Sequence, residues 1–93
     1  MSHVVTQRKK LLARVSRLIG QLQAMKRALE EARTDEHCHQ IMGQMTSIRG
    51  AMNGLLMIFL EEHVRQHVAA AETREERDAA AEDLLSALHS YRL

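Results

Sequence analysis

The sequence predicts an all-α fold in which two long helices form an antiparallel helical hairpin and a shorter third helix follows. The 93 residues include no proline, and residues of high helix propensity such as Leu, Ala, Met, Arg and Glu are plentiful. Apolar residues recur at alternating steps of three and four, which aligns them along one face of a helix. A chain of this length supplies one small core at most, so we expect residues 1–93 to form a single domain.

The first long helix is predicted from about residue 5 to about residue 32. Its apolar face follows the alternating spacing over most of that length: Leu11, Val15, Leu18, Leu22, Met25 and Leu29. The polar segment Arg33–Glu36 ends the pattern. Because so short a connection allows only an antiparallel return, the next helix is expected to pack alongside the first.

The second long helix is predicted from about residue 38 to about residue 68, and a third helix from about 73 to about 92. The second helix continues the same spacing with Ile41, Met45, Ile48, Met52, Leu55 and Phe59. Thr73 precedes Glu76 by three residues, the spacing of a capping box at a helix N-terminus. The third helix has only a narrow apolar stripe: Ala80, Leu84, Leu88 and Tyr91.

The second helix is more hydrophobic than a three-helix monomer can cover. Residues Leu55–Leu60 are apolar on every side of the helix, and a helix of that kind is buried all round. One long neighbour and a thin third helix cannot supply this cover, so we expect self-assembly with the second helix at the centre. Gly50 and Gly54, four residues apart, would let another backbone approach closely.

Charge is divided unequally along the chain, although the net charge is only +1. Residues 1–29 contain seven basic and no acidic residues, whereas residues 30–93 contain six basic and twelve acidic ones, so the two parts carry +7 and −6. One row of polar side chains lies beside the apolar face of the first helix, rotated from it by roughly 100°. This basic row consists of Lys10, Arg14, Arg17 and Gln21. We expect it to contact the phosphates of double-stranded DNA, although no helix-turn-helix, zinc-finger or ribbon signature is present.

The composition argues against several other classes of protein. A single cysteine permits neither an intrachain disulfide nor a four-cysteine zinc site, and it is typical of the reducing cytoplasm. We expect no signal peptide, because no apolar run follows the N-terminal basic residues, and Leu55–Leu60 is too short to span a bilayer. Two aromatic residues cannot form a base-stacking platform for single-stranded nucleic acid. No nucleophile is paired with an oriented base and oxyanion donors, so no enzyme is expected.

Cys38, His63 and His67 form the candidate metal site, with His3 as a fourth ligand. His63 and His67, four residues apart, project from one face of the second helix. Cys38 precedes His63 by 25 residues, which is about 37 Å along one helix, so a single chain cannot bring both to one ion. Antiparallel second helices from two subunits would join Cys38 of one chain to the histidines of the other. The returning first helix would bring His3 to the same end.

One thiolate with two or three imidazoles suits borderline ions such as Ni(II), Co(II) and Zn(II). If Met1 is removed, Ser2 adds its terminal amine and backbone nitrogen as ligands. The other three histidines, His37, His39 and His89, are expected to face solvent.

In this combination of residues the chain resembles the CsoR/RcnR/FrmR family of small all-helical bacterial repressors over essentially its whole length. The matching stretches are Met1-Ser2-His3, Lys10-Leu11, Arg14, Arg17, Gly20-Gln21, Cys38, Ile48-Arg49-Gly50-Ala51, Asn53-Gly54-Leu55, Glu62-His63 and His67. The resemblance implies a homotetramer, a dimer of dimers, that binds promoter DNA when metal-free and releases it when an inducer occupies a Cys/His site between subunits. It also implies DNA contacts from Lys10, Arg14, Arg17 and Arg49, with Lys9 and Gln21 as further candidates.

Within the family, the ligand pattern is similar to that of the nickel/cobalt-responsive branch. Copper-sensing relatives have a second cysteine at the position of His67, and formaldehyde-sensing relatives typically have proline after Met1 and lack the second histidine. This chain departs from the nickel/cobalt pattern in a longer linker before Cys38 and in Gln66, which replaces a glutamate. The resemblance therefore implies a repressor sensing Ni(II) or Co(II), with Zn(II) as a further option.

Two alternatives stay open on the sequence. In the first, the repressor senses formaldehyde or another thiol-reactive compound, and Cys38 acts as a nucleophile instead of a ligand. In the second, the chain is a structural helical oligomer or a metal buffer that does not bind DNA.

Overall fold

The structure is a computed structural model that describes the backbone of residues 3–90 and the side chains of residues 4–90. Four α-helices follow one another: α1 (His3–Thr6), α2 (Arg8–Glu31), α3 (Asp35–His63) and α4 (Arg74–Ser90). A π-helical segment, Val64–Ala69, continues α3 directly. No strand occurs among the described residues, and the all-α prediction is confirmed. These residues form two compact units, which we name the hairpin unit (residues 3–55) and the histidine unit (residues 56–90).

The first predicted helix is interrupted near its start, so its N-terminal boundary differs from the prediction. Gln7, with φ −109° and ψ 14°, separates α1 from α2, and its side chain makes no capping hydrogen bond. The Leu11 N–H donates to the Gln7 carbonyl at 3.0 Å. Leu11 is also the first buried side chain among the described residues, so the apolar core of the hairpin begins after this break.

The connection between α2 and α3 is shorter than predicted, because α3 begins at Asp35 rather than near residue 38. The Thr34 hydroxyl accepts from the His37 N–H at 3.5 Å, and His37 Nδ1 accepts from the Arg33 N–H at 2.9 Å. This reciprocal pair satisfies free N–H groups in the way a capping box does. The expectation that His37 faces solvent is therefore wrong: it is half-buried and caps the helix, whereas His39 is exposed as expected.

Within the hairpin unit, α2 and α3 lie side by side in antiparallel register. Arg14 reaches over Gly54, where its Nη1 lies 3.7 Å from the place a Cβ would occupy. Farther along, Ala24 and Gln44 line one cavity of about 410 Å³. Ala28 lines a smaller cavity with Gln40 near the turn. These three levels confirm the antiparallel return predicted from the short connection.

The apolar positions of the two long helices separate into two rows with seven-residue spacing. Members of the buried row are buried or half-buried: Leu11, Leu18, Met25, Ile41, Ile48 and Leu55. Members of the exposed row are between 38% and 55% exposed: Val15, Leu22, Leu29, Met45, Met52 and Phe59. The predicted apolar faces are thus only half covered within one chain.

The described residues bring no second backbone close to the two glycines of α3 for which the sequence predicted such an approach. At Gly54 the closest approach is the Arg14 guanidinium, and at Gly50 no described atom lies within 4 Å of an added Cβ. Close approach of a second backbone at Gly50 stays a prediction about the assembly.

In the histidine unit, the helical backbone continues to Ala69, close to the predicted end at residue 68, but from Val64 onward it is a π-helix. The Ala70 N–H donates to the Arg65 carbonyl at 3.1 Å, the five-residue hydrogen bond that defines this geometry. Apolar spacing looks nearly the same in either helix, so the sequence pattern does not distinguish them.

The start of α4 is confirmed at Thr73. The Thr73 hydroxyl accepts from the Glu76 N–H at 3.1 Å, and Glu76 Oε2 accepts from the Glu72 N–H at 3.3 Å. Ala80 is buried and Leu84 is half-buried, as the narrow stripe predicted. His89 is exposed as expected, whereas Tyr91 and the predicted helix end at residue 92 lie outside the described residues. None of the described helices is long and apolar enough to cross a membrane.

Candidate functional site

His63 and His67, the predicted metal-binding pair, lie side by side in the histidine unit. His63 is the last residue of α3, and His67 lies within the π-helical segment. Their ring centroids are 5.1 Å apart with an interplanar angle of 46°. Two imidazoles that share one ion at about 2.0–2.1 Å have ring centres roughly 4.5–5.2 Å apart at the usual ligand angles. The pair therefore fits a shared metal ion.

The orientation of His63 is set by a backbone group of α4. Nε2 of His63 lies 3.1 Å from the carbonyl oxygen of Ala80. A carbonyl only accepts, so Nε2 is the donor, and in the neutral ring Nδ1 is the nitrogen with the lone pair. Metal-binding histidines commonly donate their second ring nitrogen to a backbone carbonyl or carboxylate, which fixes tautomer and ring direction. His63 thus has the protonation pattern of a metal ligand that binds through Nδ1.

Both imidazoles line an open cavity of about 660 Å³ between the π-helical segment and α4. Three carboxylates also line it: Glu72, Glu76 and Asp83. Glu76 is occupied by its hydrogen bond at the α4 N-terminus. Gln66, also on this wall, donates to Glu62 Oε2 at 3.4 Å. The cavity is accessible and combines polar side chains with alanines.

Cys38 lies in the first turns of α3, in the hairpin unit, and its thiol is exposed. Among the described residues, no three His, Cys, Asp or Glu side chains are placed to hold one metal ion. Ser2 and the side chain of His3 lie outside the described residues. The structure therefore brings His63 and His67 together, and it does not bring Cys38 to them within the described chain.

The basic row is presented on the outer surface of α2. Lys10, Arg14, Arg17 and Gln21 are exposed, as is Lys9 beside them. Within residues 4–90, ion pairing is limited to Arg74 and Asp78 on α4, so the cations of the row are not neutralised by described carboxylates. Arg49 is also exposed, and the antiparallel register places it at about the height of Arg17 along the hairpin. This surface can offer several uncompensated positive charges to phosphates.

Sequence reasoning missed Ala80, which orients His63, and the contacts that Arg77 makes beside the cavity. Ala80 acts through its carbonyl, which every residue has, so no sequence signal could identify it. Arg77 donates from Nε and Nη2 to the carbonyls of Val68 and Ala71, and nothing in its local sequence sets it apart from Arg74. The cap formed by His37 could have been found, because Thr34 precedes it at the capping-box interval.

Comparison with known proteins agrees with these observations. The family model described as "metal-sensitive transcriptional repressor" matches residues 7–90. The chain is 46% identical over 92 residues to an uncharacterised protein in the bioA 5′ region of Serratia marcescens, covering 98% of each chain. It is 34% identical over 91 residues to the transcriptional repressor RcnR of Citrobacter koseri, again covering 98% of each chain.

A solved structure supports the same assignment. A variant of the formaldehyde-responsive regulator FrmR from Salmonella enterica serovar Typhimurium matches with a TM-score of 0.78 and 33% identity, over 96% of this chain and 98% of that one. The match extends over the hairpin and α4, which together carry the basic row and the histidine pair. Members of the matching family repress transcription and are not enzymes. This chain belongs to the CsoR/RcnR/FrmR family of metal-sensitive transcriptional repressors.

Proposed function

We propose that this protein is a cytoplasmic repressor that responds to Ni(II) or Co(II) and releases promoter DNA when the metal binds. The observation that carries the proposal is the paired arrangement of His63 and His67, with His63 held by Ala80 so that Nδ1 is available. A histidine pair alone is an incomplete site. The exposed Cys38 thiol, which has no metal-binding partners among the described residues of its own chain, supplies the missing type of ligand.

The proposed ligands are His3, Cys38, His63 and His67, with Ser2 contributing its amine and backbone nitrogen if Met1 is removed. Nitrogen donors with a single thiolate favour Ni(II), Co(II) or Zn(II) over Cu(I), which prefers several soft sulfur ligands. The ion would supply a charged bridge between subunits, because Cys38 comes from a second copy. Each ligand must be deprotonated to bind, so the affinity is expected to fall as the pH is lowered.

Assembly as a dimer of dimers is supported by the exposed row. Six apolar side chains at heptad spacing are between 38% and 55% exposed in one chain. Such a continuous apolar stripe is the usual contact surface between helices. Covering it with a second copy would also bring α3 helices together, as a shared metal site requires.

DNA binding is assigned to Lys10, Arg14, Arg17 and Arg49, with Lys9 and Gln21 at the margin. These side chains are exposed, and the cations among them lack described ion-pair partners. The regular α2 helix presents the side chains of the basic row at fixed intervals, so the row can contact several phosphates of one duplex together.

Coupling between the two sites is what the resemblance to the family implies. DNA and metal would favour different arrangements of the subunits. Linkage then requires that binding of either one lowers the affinity for the other. Only residues that differ in position between the two arrangements transmit this effect.

The decisive experiment is a fluorescence-anisotropy titration of the protein with DNA from its own upstream region, with and without Ni(II), Co(II) and Zn(II). We expect tight, salt-dependent binding without metal and at least a roughly tenfold weaker affinity with the inducing ion. Binding that is equally tight at saturating concentrations of all three ions would refute the sensing function. Absence of duplex binding under any condition would favour a metal buffer or structural oligomer.

A second candidate, formaldehyde sensing, is favoured by the exposed Cys38 thiol and by the likeness to FrmR. The Cys38 thiolate would add to the formaldehyde carbon, and the resulting hydroxymethyl group would condense with the N-terminal amine. Water leaves in that step, and a methylene group bridges sulfur and nitrogen. Mass spectrometry after formaldehyde treatment tests this directly, since an adduct that joins Cys38 to the N-terminus must gain one carbon. An unmodified Cys38 would exclude this mechanism.

A further inference from the structure

The π-helical segment Val64–Ala69 ends on groups that α4 holds in place. A π-helix is wider than an α-helix, is rare, and is found mostly at functional sites. This one carries His67 in its interior, so the position of His67 relative to His63 depends on the π geometry being kept.

Two backbone hydrogen bonds lie where the segment ends. Ala70 N–H donates to the Arg65 carbonyl at 3.1 Å, and Ala71 N–H donates to the Val68 carbonyl at 3.4 Å. The last carbonyls of a helix have no partner within the helix and require one from elsewhere. At the end of the segment an external donor can therefore add to these two backbone bonds.

Arg77 of α4 supplies that donor. Its Nε donates to the Val68 carbonyl at 3.4 Å, and its Nη2 donates to the Ala71 carbonyl at 3.3 Å. Both bonds are long, so each is weak, but a planar guanidinium makes two in one fixed fork. Its positive charge also lies at the C-terminal end of a helix, where the backbone dipole favours a cation.

The same helix holds the other histidine. Ala80, less than one turn after Arg77, accepts from His63 Nε2 at 3.1 Å, and Ala80 is buried. One face of α4 thus fixes His63 directly and fixes the backbone that follows His67.

We propose that Arg77 is a positioning residue for the metal site, because it keeps the backbone after His67 in the π geometry and so aligns His67 with His63. This proposal rests on the proposed metal-sensing function. Without Arg77, the segment relaxes towards an α-helix. Residues advance by about 100° each in an α-helix and by less in the wider π-helix, so relaxation rotates His67 about the helix axis and changes its angle to His63. Arg77 does not line the cavity that contains His63 and His67.

The test compares three full-length variants as intact oligomers: Arg77→Ala, Arg77→Lys and the control Arg74→Ala. Arg74 is the matched control because it lies on the same helix and has the same charge. Its contact is an ion pair with Asp78 at 3.7 Å, in which both side chains are largely exposed. Lysine can reach one carbonyl at a time but cannot bridge two, so Arg77→Lys should restore part of the effect.

Two measurements are made on each variant. Amide hydrogen exchange without metal reports whether the segment is held, and we expect Arg77→Ala to accelerate exchange at Ala70 and Ala71. Co(II) titration followed by visible absorption reports the site. We expect Arg77→Ala to weaken Co(II) binding about three- to tenfold and to change the ligand-field bands. Arg77→Lys should be intermediate, and Arg74→Ala should match the wild type.

The outcomes distinguish failure of the positioning role of Arg77 from failure of the proposed metal-sensing function. If the wild type binds no Co(II), the proposed function fails, and hydrogen exchange still decides whether Arg77 holds the segment. If the wild type binds Co(II) and Arg77→Ala gives the same affinity and bands, the positioning role is overturned. Should Arg77→Ala fail to fold, Arg77→Lys carries the test, and a Co(II) affinity and spectrum identical to those of the wild type would overturn the proposal.

Discussion

The two units of this chain are both helical, but different kinds of contact stabilise the inside of each one. The hairpin unit consists of long regular helices joined through a row of apolar side chains at seven-residue intervals. The histidine unit has one buried side chain, Ala80, and adds polar contacts to the backbone carbonyls of Ala80, Val68 and Ala71. Apolar rows make a stiff scaffold, whereas a few polar contacts in an open cavity can be rearranged by a ligand.

Charge divides the units in the same way. Residues 3–55 contain nine basic and four acidic residues, a net charge of +5, and residues 56–90 contain three basic and eight acidic ones, a net charge of −5. This difference supports the proposed placement of DNA on the hairpin unit and of a cation in the histidine unit. The predictions below test this division, from the largest expected effect to the smallest.

Removing the assembly should abolish both functions together. Met52 is 55% exposed and belongs to the exposed row, so Met52→Asp leaves the single chain able to fold. Burying an unpaired carboxylate between subunits costs several kcal/mol, which lowers the association constant at least about a thousandfold. Sedimentation should show dissociated chains with neither DNA binding nor a complete metal site.

The conservative change Met52→Leu serves as the control, because it keeps an apolar side chain at the same position. It should assemble normally. A Met52→Asp protein that still forms the native oligomer would mean that the exposed row is not the subunit interface.

Neutralising the basic row should remove DNA binding and leave metal binding intact. In the double variant Lys10→Ala and Arg17→Ala, we expect the affinity for promoter DNA to fall about a hundredfold. The slope of its salt dependence should decrease by about one for each phosphate that the protein no longer neutralises. Anisotropy titrations over a range of salt concentrations measure both quantities.

Lys26→Ala with Arg27→Ala is the matched control for charge. Both residues lie on α2, but they lie toward the turn, away from the basic row. An equal loss of affinity in the two double variants would show that total charge matters and that the row does not.

Removing a metal-binding side chain should weaken metal binding and leave DNA binding intact. His63→Ala deletes one imidazole and the bond to Ala80, so we expect Ni(II) affinity to fall at least about a hundredfold while metal-free DNA binding is unchanged. Cys38→Ala should also abolish the response. His89→Ala, at an exposed histidine of α4, is the control for removing an imidazole, and isothermal titration with Ni(II) compares the three.

The smallest effect is expected at the start of α4. Thr73→Ala removes the hydroxyl that accepts from the Glu76 N–H and should lower the local stability of α4 by about 1 kcal/mol. Hydrogen exchange along α4 measures this loss. Thr46→Ala provides the contrast, because Thr46 donates back to the Met42 carbonyl inside α3, an arrangement that slightly destabilises a helix. Thr46→Ala should therefore be neutral or stabilising.

Much of the hairpin unit was predictable, because its information is local and periodic. The spacing from Leu11 to Phe59 predicted two long helices, and the short polar segment between them predicted the antiparallel return. The division of that spacing into a buried and an exposed row was not predictable, because all the positions look alike until the crossing of α2 and α3 decides which side chains face inward.

The histidine unit was predictable only in part. The four-residue interval between His63 and His67 identified the pair, and the interval from Thr73 to Glu76 identified the start of α4. The π geometry was not visible, since its hydrogen bonds join backbone groups that every residue has. The cap formed by His37, in the hairpin unit, was not predicted because histidine is not the usual residue at that position of a capping box.

Helix content, the hairpin, the separated charge and the identity of the candidate ligands follow from the sequence alone, since they depend on the type and spacing of nearby residues. Tertiary packing decided the rest. The packing of α4 against the residues that carry the histidines set which nitrogen of His63 is free and made Arg77 the support of a π-helical turn. These properties arise from contacts between backbone and side-chain groups of different helical segments. The spacing of residue types along the sequence does not predict such contacts.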